Sequence, residues 1–224
     1  MSETRISRRQ LPAKAALSRA AIAEAAVTLL GTEGLERLTM RRLAAVLDTG
    51  PASLYVYFHN TEALHAAVLD QLLGDVDLQG SGAWRDRLHA ILRSYTSVLF
   101  AYPSVARMSV FTRPSGPHYL RLLETLLGLL AEGGLGPQER KWGLDLLLLH
   151  AASIAAEHGT RRERPGVSAE DSDLVTALSA ALADTHPHLH RAVHGEDGAL
   201  SGPERFDWAI DVMLDGLLVA GART

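Results

Sequence analysis

The chain has 224 residues, 47% of them hydrophobic and 21% charged, so it can bury a core and has the composition of a globular protein. It contains no cysteine, which excludes a disulfide framework and any cysteine metal site and fits a reducing compartment. The net charge is −4, yet residues 1–62 carry +2 and the remainder −6; a basic head on an acidic body suits phosphate contacts made from one end only.

The N-terminus, MSETRISRRQ, lacks the apolar run of a signal peptide, and residues 1–15, with Arg5, Arg8, Arg9 and Lys14, read as a flexible basic arm. Ser18 caps a first helix in which Ile22, Ala26, Leu29 and Leu30 follow helical spacing; Gly31 and Gly34 end it. Thr39 caps a second helix, Met40 to Leu47, and a third runs from about Ala52 to Phe58. Asn60 or Thr61 caps a fourth that extends to about Val76. After the glycine-rich break at 80–82, prolines punctuate longer helices near 83–101, 104–112, 117–132, 137–158, 170–185 and 204–221. No strand-like alternation persists, so the fold class is all-α: a three-helix N-terminal head (16–62) and a larger helical body (63–224). The segment TRRERPGVS, 160–168, reads as a mobile loop. The longest apolar patch, Leu144 to Ala156, is broken by Asp145 and His150 and is too short for a bilayer, so no membrane partner and a cytoplasmic location are expected.

The second and third helices, joined by Asp-Thr-Gly-Pro, form a helix-turn-helix pattern whose second helix lies in a DNA major groove. The turn needs a left-handed residue, a role Asp48 fills better than most non-glycines, and Pro51 costs nothing at a helix start. With Leu43, Ala44, Leu47 and Leu54 packed inside, the exposed remainder is Thr39, Arg41, Arg42, Thr49, Gly50, Ser53, Tyr55, Tyr57 and His59. Their hydroxyls, guanidiniums and imidazole suit phosphates and base edges, with direct base reading expected from Arg41, Thr49, Ser53 and Tyr55.

The run from Thr39 to Ala44, followed by Leu54-Tyr-Val-Tyr-Phe-His-Asn and Ala63-Leu, resembles the N-terminal domain of tetracycline-repressor (TetR) family regulators over about residues 16–70. The body resembles that family's tetracycline-repressor-type domain through Phe111-Thr-Arg-Pro and the segment from Arg205 to Leu217. The family usually has glycine where Asp48 stands and lysine where Thr61 stands. The resemblance implies a ligand-responsive repressor of operator DNA, released by a small-molecule inducer, with no cofactor and no catalytic residues. It also implies a homodimer joined through helices 137–158 and 204–221. In the last helix, Phe206, Ile210, Met213, Leu214 and Leu217 form one apolar stripe for the protomer core; Trp208, Val212 and Val219 form a second for the partner.

The family's pocket lies within the body, where Trp84, Met108, Phe111, Arg113, His118, Trp142 and His150 are the candidate ligand contacts, with Arg87, Tyr95 and Glu157 beside them. The tetracycline repressor has a metal-binding histidine five residues before the proline of its Thr-Arg-Pro; Ser109 stands there in this chain, so magnesium–tetracycline is not the expected inducer. The run HPHLHRAVH, 186–194, reads as a solvated histidine-rich turn with no metal. An all-helical enzyme or ligand carrier with a purely structural head is the alternative, against which stands the lack of any nucleophile elbow, phosphate loop, dinucleotide fingerprint or metal motif. An activator with the same fold is also compatible with these residues.

Overall fold

A computed structural model of the chain describes residues 17–163, 167–180, 184–194 and 204–221. The basic arm read at residues 1–15 lies outside them. Among the described residues there are α-helices and no strand. The chain divides into two compact units, one ending at Leu64 and the other beginning at His65.

In the first unit, Ser18 Oγ accepts from the Ala21 amide at 3.1 Å and starts α1 (Arg19–Glu33). Ile22, Ala23, Ala26, Leu29 and Leu30 form its buried stripe. The helix runs through Gly31, which keeps helical geometry, and stops at Gly34, whose φ of 82° carries the chain out of the helix. The expectation that Gly31 helps to end α1 is corrected: a glycine terminates a helix where it turns left-handed, not merely where it occurs. Thr39 Oγ1 caps α2 (Met40–Val46) by accepting from the Arg42 amide at 3.2 Å. Asp48 then takes φ 47°, the one non-glycine among the described residues with positive φ, and α3 (Pro51–Tyr55) follows with proline in its first turn. Leu43, Leu54 and Phe58 are completely buried where the three helices meet.

Asn60 Oδ1, accepting from the Ala63 amide at 2.7 Å, caps α4 (Thr61–Leu72). The second unit continues with α5 (Trp84–Phe100), α6 (Pro103–Ser109), α7 (Pro117–Glu132), α8 (Pro137–Glu163), α9 (Val167–Ser179), α10 (Pro187–His194) and α11 (Glu204–Gly221). Its centre is α8, against which α5, α6, α7 and α11 all pack. Two glycines permit this. A Cβ on Gly159 would sit 2.7 Å from the Pro103 ring of α6, and one on Gly143 would sit 2.7 Å from Leu217 of α11. No helix among the described residues is long and apolar enough to cross a membrane.

Two expectations fail here. The loop read at 160–168 is largely helical: α8 continues to Glu163 and α9 begins at Val167. The continuation is held locally, by Thr160 Oγ1 donating to the Ala156 carbonyl and by the Glu157–Arg161 ion pair at 3.0 Å. The histidine-rich run is likewise a helix, α10, opened by Pro187 and by the His190 amide donating to the His186 carbonyl at 2.8 Å.

Ion pairs fasten α11 to α5. Arg85 reaches Asp211 and Asp215, Arg93 reaches Asp207, and the ring nitrogens of buried His89 face Asp207 at 3.3 Å and Asp211 at 3.0 Å. Hydrogen bonding from Arg93 holds the Asp207 carboxyl below the usual carboxylate range. Burial pushes the Asp211 carboxyl upward, but hydrogen bonds from His89 and Arg85 together outweigh it and the carboxyl also ends low.

Two outcomes are expected. At Asp48, replacement by glycine keeps or raises the melting temperature, whereas valine costs about 1–2 kcal/mol because a β-branched side chain resists left-handed φ; circular dichroism melts compare the two. For the α5–α11 clamp, a depressed folded pKa contributes stability above the unfolded value of about 3.9 and loses it as pH falls through the lower folded value. The Asp207→Asn/Asp211→Asn chain should therefore be less stable than wild type at pH 7, by about 1 kcal/mol or less per pair. It should also show a flatter decline in melting temperature from pH 5 to pH 3.

Candidate DNA interface and effector cavity

The head's predicted contacts separate into groups that face solvent and groups already engaged. Arg41, Gly50, Tyr55 and His59 are exposed, and Thr49 and Ser53 are half-exposed beside them. The Thr39 oxygen accepts the capping hydrogen bond, while its hydroxyl proton remains available to a phosphate. Arg42 is placed differently: its Nε and Nη2 both donate to the Glu33 carboxylate, which Arg42 thereby holds below its ordinary range. This pair ties α2 to the end of α1. Tyr57 is half-buried and donates its hydroxyl to the Leu17 carbonyl at 2.7 Å, while its own carbonyl accepts from Arg19. The Arg19 guanidinium also lies 4.3 Å from the centre of the Phe58 ring. Arg42 and Tyr57 thus brace the scaffold that presents the others.

Val56, which sequence reasoning passed over, is 81% exposed, and Ala52 is exposed as well. The signal was available: Leu54 and Phe58, four apart and buried, put the intervening face of the short helix outside.

In the body, α4, α5, α6, α7, α8 and the loop between α6 and α7 line a half-open cavity of about 400 Å³. Leu69, Leu73, Leu123, Leu144, Leu148 and Ala152 make its wall apolar, and Tyr95, Ser109, Tyr119, Arg113, Lys141 and Asp145 place polar atoms along it. Burial pushes the Tyr95 phenol far above its usual range, and burial raises Tyr119 as well, so both stay neutral donors. Ser109 Oγ donates to the Ala106 carbonyl at 2.8 Å. Arg113 closes α6: Nη1 donates to the carbonyls of Ser109 and Val110, and Nη2 reaches Asp145 of α8 at 3.3 Å. Asp70 of α4 accepts from the Tyr119 amide at 2.9 Å, capping α7, and Gly116 packs so tightly on it that a Cβ would meet Asp70 Oδ2 at 2.1 Å.

Of the seven ligand contacts expected from sequence, Arg113 and Trp142 line this cavity, and Tyr95 does so from the wider set. The other five lie elsewhere. The Trp84 indole covers Gly133, Phe111 is 88% exposed, and Met108 is half-buried outside the lining. His118 packs against Gly74, and His150 stacks on Phe206 with ring centres 5.8 Å apart. Burial and then Arg205 push the His150 imidazole below its usual range. Arg87 pairs with Glu132, and Glu157 with Arg161. No group of three or more His, Asp and Glu placed to hold a metal occurs among the described residues.

Residues 22–68 match the family model for bacterial regulatory proteins of the tetR family, and residues 77–220 match the model for the tetracyclin repressor-like C-terminal domain. Among solved structures, a transcription regulator from Streptomyces coelicolor is 49% identical, with 91% of this chain and 96% of that one covered and a TM-score of 0.75. Apo ActR from Streptomyces coelicolor is 31% identical, with 92% and 99% covered and a TM-score of 0.79; ActR has also been solved in complex with actinorhodin. An HTH-type transcriptional regulator of Saccharopolyspora erythraea is 33% identical over 131 residues, 57% of this chain and 55% of that protein. The chain spans about half the length of that relative and of the next, a transcriptional repressor of Streptomyces coeruleorubidus. With a helix-turn-helix head, a helical body around a cavity and family matches over both units, the chain belongs to the tetR family of bacterial regulatory proteins.

Proposed function

We propose that this regulator is a repressor that binds operator DNA as a homodimer and is released when a small molecule occupies the body cavity. One observation carries the ligand response: Leu69 and Leu73, at the end of α4 and just beyond it, form part of the cavity wall. The same α4 opens at Thr61, next to the helix-turn-helix. A ligand that prefers one position of α4 shifts the population of DNA-binding states by its difference in affinity, and about 1–3 kcal/mol of coupling suffices for regulation. The wall favours a mostly apolar molecule with a few hydroxyl or carbonyl groups for the two neutral phenols. The ActR–actinorhodin complex, a bound small molecule in a protein similar to this chain, supports a small-molecule effector.

The homodimer is supported by an uncovered apolar surface. Trp142, Leu146 and Leu149 of α8 and Trp208, Val212 and Val219 of α11 are exposed, while Ile210 and Leu214 on the other side of α11 are completely buried. Two packed helices with an apolar outer face form half of a four-helix interface, and a two-fold copy supplies the other half. A dimer also matches the paired half-sites that helix-turn-helix heads read. A cytoplasmic location follows from the proposed work on DNA.

Purified protein in a gel-shift assay against the DNA flanking its own gene tests the reading. Specific binding lost on adding a cavity ligand is the expected result, and absence of any specific complex favours the carrier or enzyme alternative. Arg41→Ala and Tyr55→Ala should each weaken that complex at least tenfold with unchanged far-ultraviolet circular dichroism. At the seam, Val212→Glu places two like charges near the symmetry axis, and their desolvation should convert the dimer to monomer in light scattering and weaken DNA binding. A dimeric Val212→Glu chain would move the interface off α11.

A further inference from the structure

We infer that Val56, together with Ala52 one helical turn before it, reads the C5-methyl groups of thymine, so that the operator half-site carries thymine where this face of α3 meets the major groove. The inference rests on the head binding DNA and goes beyond it by naming the base feature recognised and the residues that recognise it.

The backbone stays right-handed helical one residue past α3, with Val56 at φ −65° and ψ −30°. Residues 52 and 56 therefore lie one turn apart, on the face opposite the completely buried Leu54. Tyr55, 52% exposed, lies beside them. The end of the helix is anchored from behind: Tyr57 is bonded to Leu17, and Phe58 is completely buried under Arg19. Held by its successors, Val56 projects outward to 81% exposure, and its β-branched side chain has little rotamer freedom to lose on contact.

The chemistry of the groove selects the target. Guanine, cytosine and adenine present hydrogen-bonding atoms at the major-groove edge, and thymine alone adds a methyl group. Neither Ala52 nor Val56 has a donor or acceptor in its side chain, so neither can distinguish the polar patterns. Each gains free energy only from covering apolar surface, which in this groove is the methyl. Ser53 and Tyr55, on the same short helix, offer polar groups that would dock it. An isolated exposed valine is ordinary on a protein surface. What distinguishes this one is its place within the face that also presents Tyr55 and its rigid mounting.

The test uses the full-length protein and a randomised duplex library. Enriched sequences define the half-site; failure to enrich any sequence overturns the DNA-binding reading and this inference with it. Each thymine of the enriched site is then replaced singly by deoxyuridine, which removes the C5-methyl and nothing else. At one or two positions the wild-type protein should lose affinity about fourfold to tenfold, the worth of one buried methyl or somewhat more. Val56→Ala should bind the thymine site more weakly by a similar factor and lose most of the deoxyuridine penalty at one of those positions, since the partner of the methyl is gone. Because the side chain is exposed, its truncation should leave the melting temperature unchanged, which circular dichroism verifies. If deoxyuridine is neutral at every position, or if its penalty persists undiminished in Val56→Ala, then Val56 does not read thymine.

Discussion

The burial requirement of α8 organises the second unit. Leu144, Leu147, Leu148, Ala151, Ala152 and Ala155 are apolar over more than one side of the helix and must be covered from several directions. The alanines and the two glycines at 143 and 159 keep the surface of α8 low, so α6 and α11 approach closely. Where α6 ends and α7 begins, the covering layer parts, and the gap becomes the cavity whose floor is Leu144, Leu148 and Ala152. Leu146 stays bare on the remaining side, and Trp142 and Leu149, also exposed, border the cavity. Core, pocket and outer apolar face are three consequences of one helix with too much apolar surface for its own chain to cover.

Near the cavity, polar contacts join α4 to α7 and the end of α6 to α8. Arg113 donates to the Ser109 and Val110 carbonyls at the end of α6 and reaches Asp145 of α8, while Asp70 of α4 accepts from the Tyr119 amide at the start of α7. Helix ends leave unpaired backbone groups, and here an arginine from the following loop and a carboxylate from α4 pair with some of them. A molecule filling the space between Tyr95, Tyr119 and Arg113 therefore presses on the groups that determine where α6 ends and α7 begins. On the proposed reading, that arrangement would couple occupancy of the cavity to helix position.

The head shows how short helices are made rigid enough to present a recognition surface. A seven-residue helix and a five-residue helix have little stability of their own. They are held by the cap at Thr39, by Pro51 in the first turn of α3, by the turn at Asp48, by the Arg42–Glu33 pair and by the Tyr57 hydroxyl on Leu17. Polar side chains that resemble nucleic-acid contacts are in part structural members, and one apolar side chain, Val56, is part of the exposed face.

Local signals in the sequence determined the all-α class, the helix-turn-helix, the caps at Ser18 and Thr39, the left-handed Asp48 and the two stripes of α11, and left the cap of α4 between Asn60 and Thr61. Capping, φ preference and apolar periodicity are properties of neighbouring residues and survive without knowledge of the rest of the chain. The role of a polar side chain depends instead on which distant group lies within about 3 Å of it, and only the tertiary structure decided that. Glu33 is nine residues from Arg42, Leu17 is forty from Tyr57, and Phe206 is more than fifty from His150. The same limit governed the cavity. Tyr119 and Asp145 line it, and Trp84 and Phe111 do not, because α6, α7 and α8 converge in a manner set by how α8 is covered and not by any residue's own character.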